Sequence, residues 1–294
     1  MDEVTPQKAS VDIGGSDISY LHYPGEGEPL IMLHATGFNP WLWHPIARAL
    51  SDKYQIYCPY FCDHRETDPE QGGLNWLHLA DDLAKFCDIL KLDTPYLVGH
   101  SMGGAVITLG CGKFGINPRR IILIEPIFLP REFYNIDIRV DEHPLAGKSI
   151  KRRNGWQDQA EARQYLRSKP LFQNWTDEML ELYIRYGMTD SEAGGLELVC
   201  HPYREAALFM GSMHYDPWPV MPTVSCPVLV LEGEHTENKG IIDFQKAAAM
   251  FAYGTYQLVE DAGHLIPMEK PEVILSRIRD FFDFDEVRVP PVSN

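Results

Sequence analysis

Ser101 stands in Gly99-His100-Ser101-Met102-Gly103-Gly104, at the end of an apolar strand-like run, Pro95 to Val98, and directly before a helix-like stretch, Ala105 to Phe114. A serine lifted clear of a strand end needs a sharp strand-to-helix bend. Side chains two residues before and after it would obstruct that bend, and Gly99 and Gly103 carry none. The helix that follows would aim its unpaired N-terminal N–H groups at an oxyanion forming beside Ser101, with the Met102 amide as first donor. The spacing therefore points to nucleophilic attack by Ser101.

A serine hydroxyl is a weak nucleophile at neutral pH unless a base takes its proton. Among eleven histidines, His264 has the fitting context: it lies in Asp261-Ala262-Gly263-His264, just after the last strand-like run and before Pro267, Glu269, Pro271 and a helical segment. In a parallel sheet that loop comes to the same edge as the elbow at Ser101. His34-Ala35-Thr36-Gly37-Phe38, after Leu30 to Leu33, occupies the place where such sites keep a second oxyanion donor, which assigns the Thr36 amide to that role.

These residues need a scaffold of strands and helices. Val11 to Tyr23 reads as a hairpin turning at Gly14-Gly15. Leu30 to His34, Tyr54 to Tyr60, Tyr96 to Val98, Ile121 to Ile124, Val228 to Glu232 and Tyr256 to Val259 read as buried parallel strands. Trp41 to Leu50, Leu77 to Leu90, Asp243 to Ala252 and Val273 to Phe282 carry apolar positions at helical spacing. The fold class is α/β, a mostly parallel sheet with helices on both faces. From Ile127 to Pro222 the alternation stops, and helix formers, aromatic residues and prolines take over. The spacing predicts a helical cap over 127–222, inserted in a core made of 1–126 and 223–294, and an extended tail over Val287 to Asn294.

The chain has 294 residues, 45% of them hydrophobic, enough for a sizeable core. Its net charge of −16 argues against nucleic acid or an anionic membrane as partner. No apolar run approaches the roughly 18 residues needed to span a bilayer. The polar start, Met1 to Ser10, lacks the features of a signal peptide, so a cytoplasmic location is expected. Six cysteines at 58, 62, 87, 111, 200 and 226 form no Cys-x-x-Cys pair and read as reduced, mostly buried residues. Histidines 201, 214 and 235 lack ligand-like spacing, so no metal is expected.

Together, the His34 to Phe38 loop, Asp63 and Arg65, the Gly99 to Gly104 elbow, and Gly263-His264 with Glu269 and Pro271 give a chain that resembles the α/β-hydrolase fold superfamily, in its cap-bearing serine hydrolase (esterase/lipase-like) form, across nearly its whole length. The resemblance implies a small-molecule acyl substrate, an acyl-enzyme intermediate and no cofactor. The chain departs from the pattern at two places. Glu66-Thr67-Asp68-Pro69 replaces the usual Gly-x-Gly-x-Ser, implying a differently shaped loop. More consequentially, the family's acid follows the strand matching Val228 to Leu231 in a Gly-x-x-Asp pattern, whereas here Gly233-Glu234-His235-Thr236 puts an uncharged residue at that place. A carboxylate is still needed to hold His264. Glu125, closing Ile121 to Ile124, matches the acid position of some haloalkane dehalogenases and is the favoured choice; Glu234 and then Glu237 are the alternatives.

Within the cap, Lys148, Lys151, Arg152, Arg153, Arg163, Arg167 and Lys169 form a basic run. Arg152 and Arg153 are candidates to recognise a substrate carboxylate or phosphate, against the plainer reading of surface salt bridges. Trp41 and Trp43 are candidates to line an apolar pocket. The expected activity is hydrolysis of a carboxylic ester or related acyl compound, with lactonase, thioesterase or carbon–carbon bond hydrolase chemistry as alternatives on the same residues. A rival of another class is a slow-turnover ligand-binding protein of the same fold, which a ligand would stabilise without being consumed.

Overall fold

The computed structural model describes residues 4–62 and 64–283. Asp63 and the tail read at Val287 to Asn294 lie outside the described residues. In chain order come β1 (Gln7–Asp12), β2 (Asp17–Tyr23), β3 (Glu28–Leu33), α1 (His44–Arg48), β4 (Tyr54–Pro59), α2 (Trp76–Leu90), β5 (Tyr96–His100), α3 (Met102–Phe114) and β6 (Arg120–Ile124). Then follow α4 (Ala146–Ser149), α5 (Gln159–Arg167), α6 (Pro170–Gln173), α7 (Asp177–Gly187), β7 (Met188–Asp190), β8 (Leu196–Leu198) and α8 (Pro202–Gly211). The chain returns with β9 (Val228–Gly233), α9 (Phe244–Met250), β10 (Gly254–Val259), α10 (Ile266–Glu269) and α11 (Pro271–Phe282).

Eight strands form one sheet in the order β1-β2-β4-β3-β5-β6-β9-β10, antiparallel across β1-β2 and β2-β4 and parallel from β4 onward. Strand periodicity of two divides the apolar runs between two faces. Ile31, Leu33, Leu97, Ile121 and Leu123 pack with residues of α2, α3 and α9. Leu30, Met32, Val98, Ile122 and Ile124 pack with residues of α1 and α11 on the other face. Both faces are covered, which is why these strands read as unbroken apolar runs.

Two elements differ from the sequence reading. The helix expected over Trp41 to Leu50 is a 3-10 turn, Pro40–Trp43, capped by Asn39, running into the short α1. Pro45 has no N–H to return to the Trp41 carbonyl, so the α-helical ladder cannot pass through it. The stretch between β6 and β9 is not wholly helical either. β7 and β8 pair as a small hairpin whose turn contains Gly194 and Gly195, at φ +91° and +80°. This stretch has its own apolar core, including Trp156, Phe172, Trp175 and Tyr183, shared with Leu42 of the 3-10 turn, with Leu265 and with Met268 of α10, beyond the sheet's strand ends.

The loop after β4 is tied down by a buried charge. Asp82 on α2 accepts two hydrogen bonds from Arg65, both at 2.5 Å, and lies 3.0 Å from His64 Nε2. Burial alone would raise the Asp82 carboxyl, but the Arg65 and His64 hydrogen bonds outweigh it and hold the pKa at about 2, against 3.8 unperturbed. A depressed carboxylate contributes stability above its unfolded pKa, here about 2 kcal/mol, which disappears as pH falls from about 4 through 2. Asp82→Asn leaves Arg65 without its counter-charge and is expected to cost about 3 kcal/mol in urea unfolding at pH 7, with the gap narrowing toward pH 2. A cost under about 1 kcal/mol at pH 7 would show that the pair carries little of the loop's anchoring.

The six cysteines are free, five of them buried and Cys111 partly so. Among the described residues no helix is long and apolar enough to cross a membrane.

Candidate active site

Ser101 joins β5 to α3 with φ +56° and ψ −114°, a backbone state that side-chain-bearing residues rarely adopt. Its amide is held by the Ile124 carbonyl at 2.9 Å. The glycines beside it are required by close approach. A Cβ on Gly99 would come within 2.6 Å of the Gly103 carbonyl carbon, and one on Gly103 within 2.5 Å of the Leu33 carbonyl oxygen. At Gly103 the obstruction is therefore with β3, and not only with the turn itself as the sequence reading has it.

His264 lies between β10 and α10, with Nε2 3.1 Å from Ser101 Oγ and Nδ1 3.0 Å from Glu125 Oε2. Its loop is held from two sides. The Gly263 amide donates to Glu269 Oε2 at 2.7 Å, and His100 Nε2 lies 2.9 Å from the His264 carbonyl. Burial, then the nearness of His264, keeps the His100 pKa well below the ordinary histidine value, so His100 is neutral and donates through Nε2–H.

Glu125 follows β6 with φ +48° and is fully buried. Oε1 accepts from the Gly233 amide at 2.7 Å, and Oε2 accepts from Thr236 Oγ1 at 2.8 Å and from Asn238 Nδ2 at 3.3 Å. Asn238 Nδ2 also lies 3.0 Å from His264 Nδ1. With Nδ1–H directed at Glu125, the asparagine amide belongs to the carboxylate. Glu234 turns away, Oε2 accepting from the Asp261 amide at 3.0 Å, and Glu237 is exposed.

In the loop after β3, Phe38 N–H donates to the Ala35 carbonyl at 3.2 Å, closing a turn with Thr36 and Gly37 at its centre and Gly37 at φ +77°. Such a turn leaves the central amides outside its own hydrogen bond. His34 fixes the loop's place, Nδ1–H donating to the Ala35 carbonyl at 2.8 Å and Nε2 accepting from the Phe61 amide at 3.0 Å. Met102 opens α3, so its amide has no acceptor within the helix.

Of the two tryptophans, Trp43 lines a small cleft with Ala35, Phe38, His100 and Met268. Trp41 stacks on Tyr186 at 3.6 Å. The basic run divides: Arg153 pairs with Glu161, Arg163 with Glu181 and Arg167 with Asp177, all with acids of the same stretch. Arg152 instead donates through Nη1 to both oxygens of Glu205, at 3.0 and 2.8 Å. Glu205 lies against the turn after β3, where a Cβ on Gly37 would collide with its Oε1. Burial pulls the Arg152 pKa down, but Tyr183 and Glu205 raise it overall, so the guanidinium stays charged. Elsewhere, a polar cleft of about 710 Å³ opens beside His64, Arg65 and Asp17 and includes none of Ser101, His264 or Glu125. Glu234, His235 and Asp261 bring side-chain ligand atoms within 4.8 Å of one another at the surface, a grouping that their sequence spacing does not announce.

A family described as the alpha/beta hydrolase family matches residues 30–277. The chain belongs to this alpha/beta hydrolase family. It is 22% identical over 275 residues to 2-(acetamidomethylene)succinate hydrolase of Mesorhizobium japonicum, covering 93% of this chain and 94% of that one. It is 22% identical over 282 residues to carboxylesterase YbfK of Bacillus subtilis, covering 88% and 81%. The chain spans only 37% of the length of the uncharacterised mycobacterial relatives that it also matches, at 21% identity. The crystal structure of E-2-(acetamidomethylene)succinate hydrolase superposes with a TM-score of 0.79 at 21% identity, covering 95% of this chain and 99% of that one, which shows a shared fold.

In this alpha/beta hydrolase family member, the sequence reading placed Ser101, His264 and Glu125 at strand ends, and the fold brings all three into one hydrogen-bonded chain. It missed Asn238, Glu205 and the inward turn of Arg152. Asn238 follows Thr236 by two residues, and its backbone N–H donates to Thr236 Oγ1 at 3.2 Å, a contact that only the folded loop shows. Glu205 and Arg152 are separated by 53 residues, and no local pattern joins them.

Proposed function

We propose that the protein is a serine hydrolase that cleaves a carboxylic ester or related acyl substrate. The observation that supports this reading most is the chain Ser101 Oγ to His264 Nε2 to His264 Nδ1 to Glu125 Oε2, with links of 3.1 and 3.0 Å. His264 takes the Ser101 proton as Oγ attacks the acyl carbon, and Glu125 holds the imidazole in the accepting tautomer and stabilises the imidazolium. The amides of Met102 and Thr36 receive the oxyanion. His264 then protonates the leaving group and activates a water that releases the acyl group from Ser101. Residues 127–222 act as the cap over this site. The hydrolase and carboxylesterase relatives favour the same class of reaction.

The test is labelling of the purified protein with a fluorophosphonate probe, together with turnover of 4-nitrophenyl acetate and butanoate, a thioester and a lactone. Labelling with ester turnover is the expected result, and the panel separates esterase from thioesterase and lactonase activity. A folded protein that neither labels nor turns over any of them is no serine hydrolase.

A further inference from the structure

We propose that Arg152 recognises a carboxylate carried by the substrate, so that the site prefers anionic over neutral acyl compounds; this deepens the serine hydrolase reading and rests on it. Glu205 packs on Gly37, the neighbour of Thr36, and Arg152 is bound to Glu205, so a single carboxylate separates the guanidinium from that turn. The side chain is one-quarter exposed, so part of it is still reachable.

The hydrogen-bond pattern leaves Arg152 with donors to give. Both Glu205 oxygens are served by Nη1 alone, so among the described residues Nε and Nη2 hold no carboxylate. A guanidinium has five N–H donors, and its unused edge fits a second carboxylate in the plane of the fork. The Tyr183 hydroxyl takes one further hydrogen bond from the same group, leaving the remaining N–H donors for a ligand.

Stability does not account for the pair. A largely buried ion pair is seldom more stabilising than apolar residues of like volume, because both charges lose water. Its place beside the turn that carries Thr36 gives it a use: a fork of N–H donors held there by Glu205, in a protein whose net charge otherwise repels anions. A plainer role is that Arg152 merely neutralises Glu205, whose charge beside the oxyanion turn would oppose catalysis. The two roles differ in a measurable way, since neutralisation affects all substrates alike and recognition affects only anionic ones.

The experiment compares kcat/KM for mono-4-nitrophenyl succinate and for 4-nitrophenyl butanoate in wild type, Arg152→Gln and Arg152→Gln/Glu205→Gln, the double variant leaving no unpaired buried charge should the single one fold poorly. The expected result is a wild-type preference for the succinate ester and a fall of about 10- to 100-fold in the succinate-to-butanoate ratio in both variants. A wild-type preference for butanoate, or a ratio unchanged by the substitutions, overturns the proposal. If neither ester is turned over, the serine hydrolase reading has failed separately. Calorimetric titration of succinate then decides: binding to wild type that is lost in the double variant supports recognition by Arg152, and no binding to wild type overturns it.

Discussion

Ser101→Ala is expected to reduce ester turnover by about 10⁵-fold, equivalent to about 7 kcal/mol of transition-state stabilisation, and to abolish fluorophosphonate labelling. The residual rate would come from the Met102 and Thr36 amides and from binding. The substitution removes a single hydrogen bond, to His264 Nε2, and leaves the Ser101 amide on the Ile124 carbonyl. The elbow does not depend on the hydroxyl, so stability should change by no more than about 1 kcal/mol. Parallel measurement of turnover and thermal unfolding checks both halves. A loss of less than about 100-fold would remove Ser101 from the chemistry.

Glu125→Gln should cost about 10³- to 10⁴-fold in kcat, because the amide can donate to Nδ1 and so favours the tautomer whose Nε2 already carries a proton. That imidazole cannot take one from Ser101. Glutamine keeps an acceptor for the Gly233 amide, so the fold should persist. The cradle around the carboxylate allows a stronger check. Thr236 Oγ1 lies 2.8 Å from Glu125 Oε2, which itself lies 3.0 Å from His264 Nδ1, so position 236 is within reach of the same imidazole. Thr236→Asp placed in a Glu125→Ala background should recover at least about tenfold of the lost activity. Near-normal turnover in Glu125→Gln would move the acid role to the Glu234 loop, and failure of Thr236→Asp to recover any activity would mean that the cradle is shaped only for a side chain from β6.

Much of this arrangement is legible in the sequence because it is enforced locally. Gly99 and Gly103 mark the elbow since backbone atoms occupy the space of their missing side chains. Glu125 ends an apolar strand, and a carboxylate there has a reason to be fully buried only if donors meet it, as Gly233, Thr236 and Asn238 do. What the sequence conceals depends on chain segments that meet only after folding. The Trp41 to Leu50 stretch is a different, local case: its apolar spacing suits a helix, and Pro45 within it interrupts the ladder. The β7-β8 hairpin is too short for its alternation to stand out from the helix-rich stretch around it. Arg152 and Arg153 are indistinguishable as neighbours in a basic run; one pairs at the surface with Glu161 and the other turns under the fold to Glu205.

The central claim is that an acyl group passes through Ser101. Its most direct test is acid quenching during turnover of 4-nitrophenyl butanoate, followed by intact-mass analysis and peptide mapping. The account predicts a butanoyl adduct on the peptide that contains Ser101, absent from Ser101→Ala and accumulating when deacylation is slow relative to acylation. An adduct on another residue, or ester turnover that persists undiminished in Ser101→Ala, would contradict it.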